Sequence, residues 1–338
     1  MNRNEFITAL EQLKPGLTKN VLVEESEMVL FEPDRLFSYN DEVAVSCPFE
    51  TGLTGAIRAR ELYDLLKKLK KDTIKAKKKG DEFTFSCGNT RAGFKMIEDM
   101  APPPTLAEVG KIKRWNRLPD DFVDALSFCM FSAATNTNLG VLMCLRFEGK
   151  EALSCDNYRA TQYRMKTGLA QGVVLYIPRV AAEALVKFAP ERVNVAGSWI
   201  HFKNKEEMTF SCRTMDDQYW PEGIKGVLKG KGEKIPFPDG IKEIIDRAET
   251  LTDPSVNVTE KLVEFKIEKG FITCRGEGPA GWVEEKSKID YDGKVIEFKA
   301  NARFFSQILD ETKEATINER SVLFKGKNFT HAISRPAE

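Results

Sequence analysis

One pattern of apolar residues occurs three times along the 338-residue chain, and this repetition constrains the fold more than any other feature. Phe6, Ala9, Leu10, Leu13 and Leu17 share one face of a helix predicted over 6–17. Phe122, Ala125, Leu126 and Cys129 do the same over 122–133, as do Ile241, Ile244, Ile245 and Ala248 over 241–251. These segments start 116 and 119 residues apart, and each has the three-and-four spacing of one buried helix face. A second helical series follows. Leu62, Leu65, Leu66 and Leu69 line one face of 60–70. Pro178 opens a helix over 179–188, because proline suits a first helical turn. Asn301 is the expected N-cap of a helix over 302–312. Arg58, Pro178 and Asn301 hold equivalent places, 120 and 123 residues apart.

Strands repeat as well. Residues 81–87 (DEFTFSC) echo 206–212 (EEMTFSC) at an offset of 125, and both alternate apolar with polar as half-buried strands do. Lys79-Gly80-Asp81 supplies hairpin chemistry before the first copy. The chain therefore divides into blocks 1–110, 111–230 and 231–338, each of ordinary domain size and each reading helix, strands, helix, strands. A period this long means a domain used three times, not a solenoid. Ala101-Pro102-Pro103-Pro104-Thr105 reads as a stiff extended linker that admits neither helix nor central strand and closes the first block. Lys229-Gly230-Lys231-Gly232 closes the second.

Charge is informative only when read locally. Lys plus Arg number 51 and Asp plus Glu 51, which excludes a protein that coats nucleic acid by bulk positive charge. Residues 21–50 carry a net −7, however, and residues 57–79 a net +7. Lys67, Lys68, Lys70 and Lys71 fall on the polar side of the second predicted helix, away from its leucines. A solvated helix face is the plain reading; a phosphate-facing surface is the sharper one. Arg60 opens the same helix, and Arg3, Lys14, Lys187, Lys242, Arg247 and Arg303 add basic groups at the other predicted helices.

Catalytic chemistry finds little support. No apolar run reaches membrane-spanning length, and residues 1–17 are amphipathic, unlike a signal peptide. Seven cysteines without a CxxC pair read as reduced, buried thiols of a cytoplasmic protein. His201 and His331 stand 130 positions apart, so histidine-based metal or acid–base sites are not expected. Gly276-Glu277-Gly278-Pro279-Ala280-Gly281 has the spacing of a dinucleotide loop, but an alternating strand follows where a helix is required, so it reads as a turn. Asp120-Asp121 suits a helix start, Asp290 to Gly293 a turn, and Asp216-Asp217 lacks the clustered partners that two-metal chemistry needs. No cofactor or metal is expected.

Several segments resemble, in order and spacing over nearly the whole chain, the bacterial sliding clamp, the β subunit of DNA polymerase III. They are Gly55 to Leu62; Gly140-Val141-Leu142 followed by Leu153 to Arg159; Tyr176-Ile177-Pro178-Arg179; Tyr219-Trp220-Pro221-Glu222; Phe298 to Leu309; and a terminal Arg335. The resemblance implies an α+β fold of three repeated clamp domains, each with two helices packed on two antiparallel sheets. It implies a head-to-tail homodimeric ring that encircles double-stranded DNA without reading sequence and tethers a DNA polymerase. It also implies a clamp-loader ATPase that opens the ring, and no enzymatic activity or membrane partner. The alternative is a clamp-fold binding hub that does not load on DNA, and a third, an enzyme of unseen site, belongs to another class.

The resemblance further places a partner-peptide pocket at Asn138, Cys155, Asn157, Tyr158, Arg159, Pro221, Lys225, Ala332, Ile333, Ser334 and Arg335. Clamps often carry Gly-His where Asn157-Tyr158 stand, Met-Pro-Met where Ala332-Ile333-Ser334 stand, and leucine at the place of Asn138. These departures, with a length below that of typical cellular clamps, imply a more polar pocket and a phage or prophage member serving its own polymerase.

Overall fold

The side-chain oxygen of Asn2 accepts the backbone N–H groups of Asn4 (2.8 Å) and Glu5 (3.3 Å). That cap starts the first helix at Arg3, and it runs Arg3–Leu13, earlier at both ends than the apolar pattern predicts. Pro15 has no N–H to continue the ladder, so Lys14–Gly16 tightens into a 3-10 turn. The computed structural model describes residues 1–18, 24–98, 100, 103–135, 137–215, 220–221 and 223–335. The other predicted helices are Ala59–Lys68, Phe122–Cys129, Arg179–Phe188, Ile241–Thr250 and Ala302–Leu309. Asn301 caps the last of these, accepting from Phe304 N at 3.0 Å. One expectation fails: the proline run is no extended linker throughout. Pro103 is the N-cap and Pro104 the first residue of a short helix, Pro104–Val109, because a missing N–H costs nothing at a first helical position. Ala101 and Pro102 lie outside the described residues.

The chain forms two compact units. The first comprises Met1–Asp124, Phe147–Gly149 and Lys166–Asp216. Its main sheet runs Gly55–Arg58, Met28–Glu32, Arg35–Tyr39, Val43–Pro48, Thr209–Arg213, Trp199–Lys203, Arg192–Ala196, Asn116–Arg117. Val43–Pro48 pairs antiparallel with Thr209–Arg213, from Ser46 opposite Thr209 to Val43 opposite Cys212. Strands of the first and second sequence blocks thus share one sheet. A separate three-stranded sheet joins Lys75–Lys79, Glu82–Cys87 and Thr90–Lys95. Phe6 of the first helix, Phe31 and Phe83 form a continuous aromatic core, with ring centroids 6.2 and 5.9 Å apart.

The second unit comprises Ala125–Arg146, Lys150–Met165 and Asp217–Glu338. Within it Glu151–Cys155, Arg159–Arg164, Phe329–Ser334, Ser321–Lys325, Glu314–Ile317 and Glu233–Pro236 are successive neighbours. Arg159–Arg164 pairs with Phe329–Ser334, so strands of the second and third blocks are joined as those of the first and second are. A four-stranded sheet runs Gly281–Lys288, Phe271–Gly278, Leu262–Glu268, Ile296–Asn301. Its inner face supplies Phe265 and Phe298, 4.9 Å apart, and Phe265 also stacks 4.9 Å from Phe305. The glycine-rich segment is a hairpin here, as expected. Gly276 is required for a different reason: a Cβ would come 1.7 Å from the Ala248 carbonyl of the helix packed on the sheet.

All seven cysteines are buried and form no disulfide. Burial pushes the thiols of Cys129, Cys144, Cys155 and Cys274 up to about 12, so they stay protonated and pack as small apolar groups. Both histidines are buried in sheets. His201 Nδ1 meets Ser211 Oγ at 2.8 Å, and His331 Nδ1 meets Thr161 Oγ1 at 2.8 Å, which in turn contacts Ser132 at 2.7 Å. Asp121 accepts the Lys166 N–H at 3.0 Å beside the Phe122 helix start, and Asp120 pairs with Arg117. Asp216-Asp217 lies outside the described residues.

Candidate functional site

In the second unit, Asp156 turns the chain between two strands. Its carboxylate accepts the backbone N–H groups of Tyr158 (2.8 Å) and Arg159 (2.6 Å) and the Arg159 guanidinium at 3.2 Å. Arg159 Nη1 also donates to Gln307 Oε1 at 2.9 Å. The guanidinium plane lies 3.7 Å over the ring of Phe304, and both side chains of the Asp156–Arg159 pair are only 10% exposed. Arg159 is therefore fully engaged. It braces the turn against the Ala302–Leu309 helix and leaves the Tyr158 ring 6.2 Å from Phe304 and 39% exposed.

Behind that turn lies an apolar cluster of Leu153, Cys155, Ala160, Ile224, Leu228, Leu323 and Ala332, with Leu142 and Trp220 packed on it half-buried. Ile224 enters from the short helix Ile224–Val227, which follows Pro221. On its rim Lys225 Nζ donates to Glu151 Oε2 at 2.5 Å.

Of the residues that the resemblance names, the structure brings Cys155 and Ala332 into one cluster, joined by Trp220 and Ile224, the sequence neighbours of Pro221 and Lys225. Tyr158 and Arg159 stand at its edge, and Ser334 joins them through its N–H to the Tyr158 carbonyl at 2.8 Å. Asn157 is exposed at the tip of the turn, and Asn138 is exposed on the 3-10 stretch Thr137–Met143 that carries Leu142. Strand alternation puts Ile333 on the opposite face from Ala332, buried to 1%. Arg335 is drawn away, donating to the carbonyls of Asn318 (2.6 Å) and Glu297 (2.8 Å). Sequence reasoning missed Phe304 and Gln307. Phe304 sits inside the clamp-like 298–309 segment at its aromatic position, and that position is its only signal in the sequence. Tyr219 and Glu222 lie outside the described residues.

The basic residues divide. Lys67, Lys68, Lys70, Lys71, Lys187 and Arg303 are exposed, with Lys67 5.3 Å from the Tyr63 ring centroid. Arg60 sits 3.9 Å from Asp64, and Lys14 donates to Tyr63 Oη at 3.1 Å. Arg3 turns inward, its guanidinium on the Leu69 carbonyl with only 16% of the side chain exposed. Lys242 is paired with Asp310 (2.6 Å) and Arg247 with Glu285 (2.7 Å). A cleft of 1390 Å³ in the first unit is lined by Thr8, Gln12, Trp115, Arg117, Lys187 and Arg192 among others. Of the predicted basic residues only Lys187 reaches it. Among the described residues no group of His, Cys, Asp and Glu is placed to hold a metal ion, and no helix is long and apolar enough to cross a membrane.

No sequence-family model matches the chain, and no curated protein matches it by sequence. Solved structures do match it from end to end. The DNA polymerase III subunit beta from Pseudomonas aeruginosa aligns with a TM-score of 0.83 at 16% identity, covering 100% of this chain and 99% of that one. The DnaN sliding clamp from Bartonella birtlesii, bound to griselimycin, gives 0.84 at 16% identity, with 100% and 98% covered. The beta chain of DNA polymerase III from Streptococcus pneumoniae gives 0.84 at 16% identity, with the same coverage. The chain has the α+β fold of the bacterial sliding clamps.

Proposed function

We propose that this protein is a DNA sliding clamp, a non-enzymatic processivity factor that acts in the cytoplasm. Two chains close head to tail into a ring around duplex DNA, a loader ATPase opens the ring, and a polymerase is held to it. The observation that carries this reading is the full-length match: essentially all of this chain superposes on 98–99% of chains whose names are sliding clamp and polymerase III beta subunit. The three sequence blocks are then three clamp domains. The chemistry agrees. A ring that slides needs diffuse phosphate contacts and no base readout. The exposed lysines of 67–71, with Lys187 and Arg303, offer contacts of that kind without a large net charge.

In this reading the polymerase and other partners dock by short linear peptides on the second unit. Apolar anchors enter the Leu153–Cys155–Ala332 cluster, Tyr158 and Phe304 flank them, and Lys225 lies at the rim. Small Ala332 and Ser334, with polar Asn157 and Asn138, give a site cut for different peptides from those of common bacterial clamps, which is the ground for a phage or prophage assignment. A standard bacterial clamp-binding peptide should bind weakly, and binding at full affinity would remove that part. The function itself is tested by product length on a primed circular template. With a matched polymerase and loader, this protein should lengthen products, and Phe304→Ala should abolish the gain while solution mass stays unchanged. No lengthening with any loader would favour a hub that never reaches DNA.

A further inference from the structure

The turn that frames the apolar cluster of the second unit has a counterpart in the first, 116 positions earlier. Asn40 stands where Asp156 stands, and its side-chain oxygen accepts the backbone N–H groups of Glu42 (3.0 Å) and Val43 (2.7 Å). Its own N–H donates to the Val43 carbonyl at 2.9 Å, as that of Asp156 does to the Arg159 carbonyl at 3.0 Å. Register extends the match into the sheets. Tyr39 stands opposite Ala44, Ala44 opposite Ser211 and Ser211 opposite His201. In the second unit Cys155 stands opposite Ala160, Ala160 opposite Ala332 and Ala332 opposite Leu323. Directly opposed residues in an antiparallel sheet share a face. The second row lies in the cluster already described, and Tyr39 and Ala44 lie in its counterpart, with Met28, Leu30, Phe37 and Ala56.

The covering segment is repeated too. Leu106 of the Pro104–Val109 helix packs into the first cluster as Ile224 of the Ile224–Val227 helix packs into the second, and each short helix follows a proline. Tyr39 and Met100 stay half-buried on the first cluster, as Leu142 and Trp220 do on the second. The chemistry of the two differs. His201 and Ser211 take the places of Leu323 and Ala332, both fully buried. His201 Nδ1 meets Ser211 Oγ, and its Nε2 has no hydrogen-bond partner among the described residues. Trp199, on the same face, lies 6.4 Å from the Tyr39 ring and 4.9 Å from the Arg213 guanidinium. The exposed tip of the turn is Asp41-Glu42, where the other turn has Asn157-Tyr158. Arg213 Nε donates to the Asp41 backbone carbonyl at 2.6 Å, but neither carboxylate has an ion pair among the described residues.

We infer that the first unit carries a second docking site for linear peptides, one that selects a cation beside an apolar anchor. The inference rests on the peptide reading of the second unit for its ligand class. A short helix packed on a sheet has a plainer use, which is to close a core. That use accounts for Leu106. It does not account for a turn, a register and a covering helix repeated together from one unit to the other. Nor does it account for an imidazole nitrogen left buried without a partner, which a closed core normally satisfies. Half-buried Tyr39 and Met100, with the Trp199 ring beside Tyr39, offer the anchor an apolar wall. Val43 replaces Arg159, so no guanidinium is built into this turn. Two unpaired carboxylates against the one guanidinium of Arg213 then favour a cation on the peptide over an anion. A polar group of the peptide would satisfy His201 Nε2, for which Leu323 offers no equivalent in the second unit.

The test selects peptides from a random hexapeptide display library on the full chain carrying Phe304→Ala, which disables the second-unit site. Recovered sequences should pair Lys or Arg with a large apolar residue, and labelled copies should bind by anisotropy. Asp41→Lys/Glu42→Lys, two exposed substitutions that leave the fold intact, should weaken those peptides by about tenfold or more. The same charge reversal in the chain with Phe304 intact should leave peptides of the second-unit site bound as before. Recovery of no peptide, of peptides without a cation, or of peptides indifferent to the charge reversal would overturn the inference. Selection on the unmodified chain reports on the second unit separately. Peptides that need Asp41 and Glu42, with none that need Phe304, would remove the second-unit reading and leave this site standing.

Discussion

Arg159 shows how much one side chain fixes at the candidate partner site. It satisfies Asp156 and Gln307 and stacks on Phe304, so removing it strands a largely buried carboxylate. Arg159→Ala should cost about 2–4 kcal/mol in chemical denaturation, and Arg159→Lys should recover little, because lysine lacks the planar fork. His331 makes a second residue-scale prediction. Burial, then the nearby Arg159 charge, lowers its pKa to about 3, against ~6.5 in the unfolded chain. The unfolded state therefore binds the extra proton between those values. This contribution is fully present above pH ~6.5 and lost as pH falls toward about 3, at ~1.4 kcal/mol per pH unit. Between pH 7 and 4.5 the wild type should lose about 2–3 kcal/mol more than His331→Gln. An equal loss in both would show that His331 does not carry the acid sensitivity. The sequence showed only an isolated histidine in an alternating run. Its partners Thr161 and Ser132 are 170 and 199 positions away, and no local pattern reveals such a contact.

At the scale of elements, helices were legible and strand order was not. Three-and-four apolar spacing depends only on neighbours in sequence, so the six longer helices were legible, with Asn301 as a cap, while the short helices Pro104–Val109 and Ile224–Val227 were not. Asn301→Ala should therefore cost about 1 kcal/mol, read as a lower urea midpoint with unchanged slope; no change would mean the cap is satisfied otherwise. The pairing of Val43–Pro48 with Thr209–Arg213 joins strands some 165 residues apart and is a decision of tertiary packing. The Pro103-Pro104 helix was misread because proline forbids helix interiors but not their first turn. Phe304 escaped notice for a related reason: it reads as one more apolar residue until Arg159, far away in sequence, is placed on it.

At the scale of the whole molecule, the balanced 51 against 51 hides a charge arrangement that only the fold sorts out. The +7 segment divides between the Ala59–Lys68 helix and the strand Lys75–Lys79, while Arg3, Lys242 and Arg247 are held by partners of their own. The clamp account predicts a solution mass of twice 38.2 kDa by sedimentation equilibrium. It also predicts that Lys67→Glu, Lys68→Glu, Lys70→Glu and Lys71→Glu together weaken loading without touching peptide binding on the second unit. Its central claim is topological. Labelled protein is loaded onto nicked circular DNA with a clamp loader, and the circle is then cut once. Protein retained on circles and released after linearisation is the predicted result; equal retention, or equal loss, before and after the cut would contradict it.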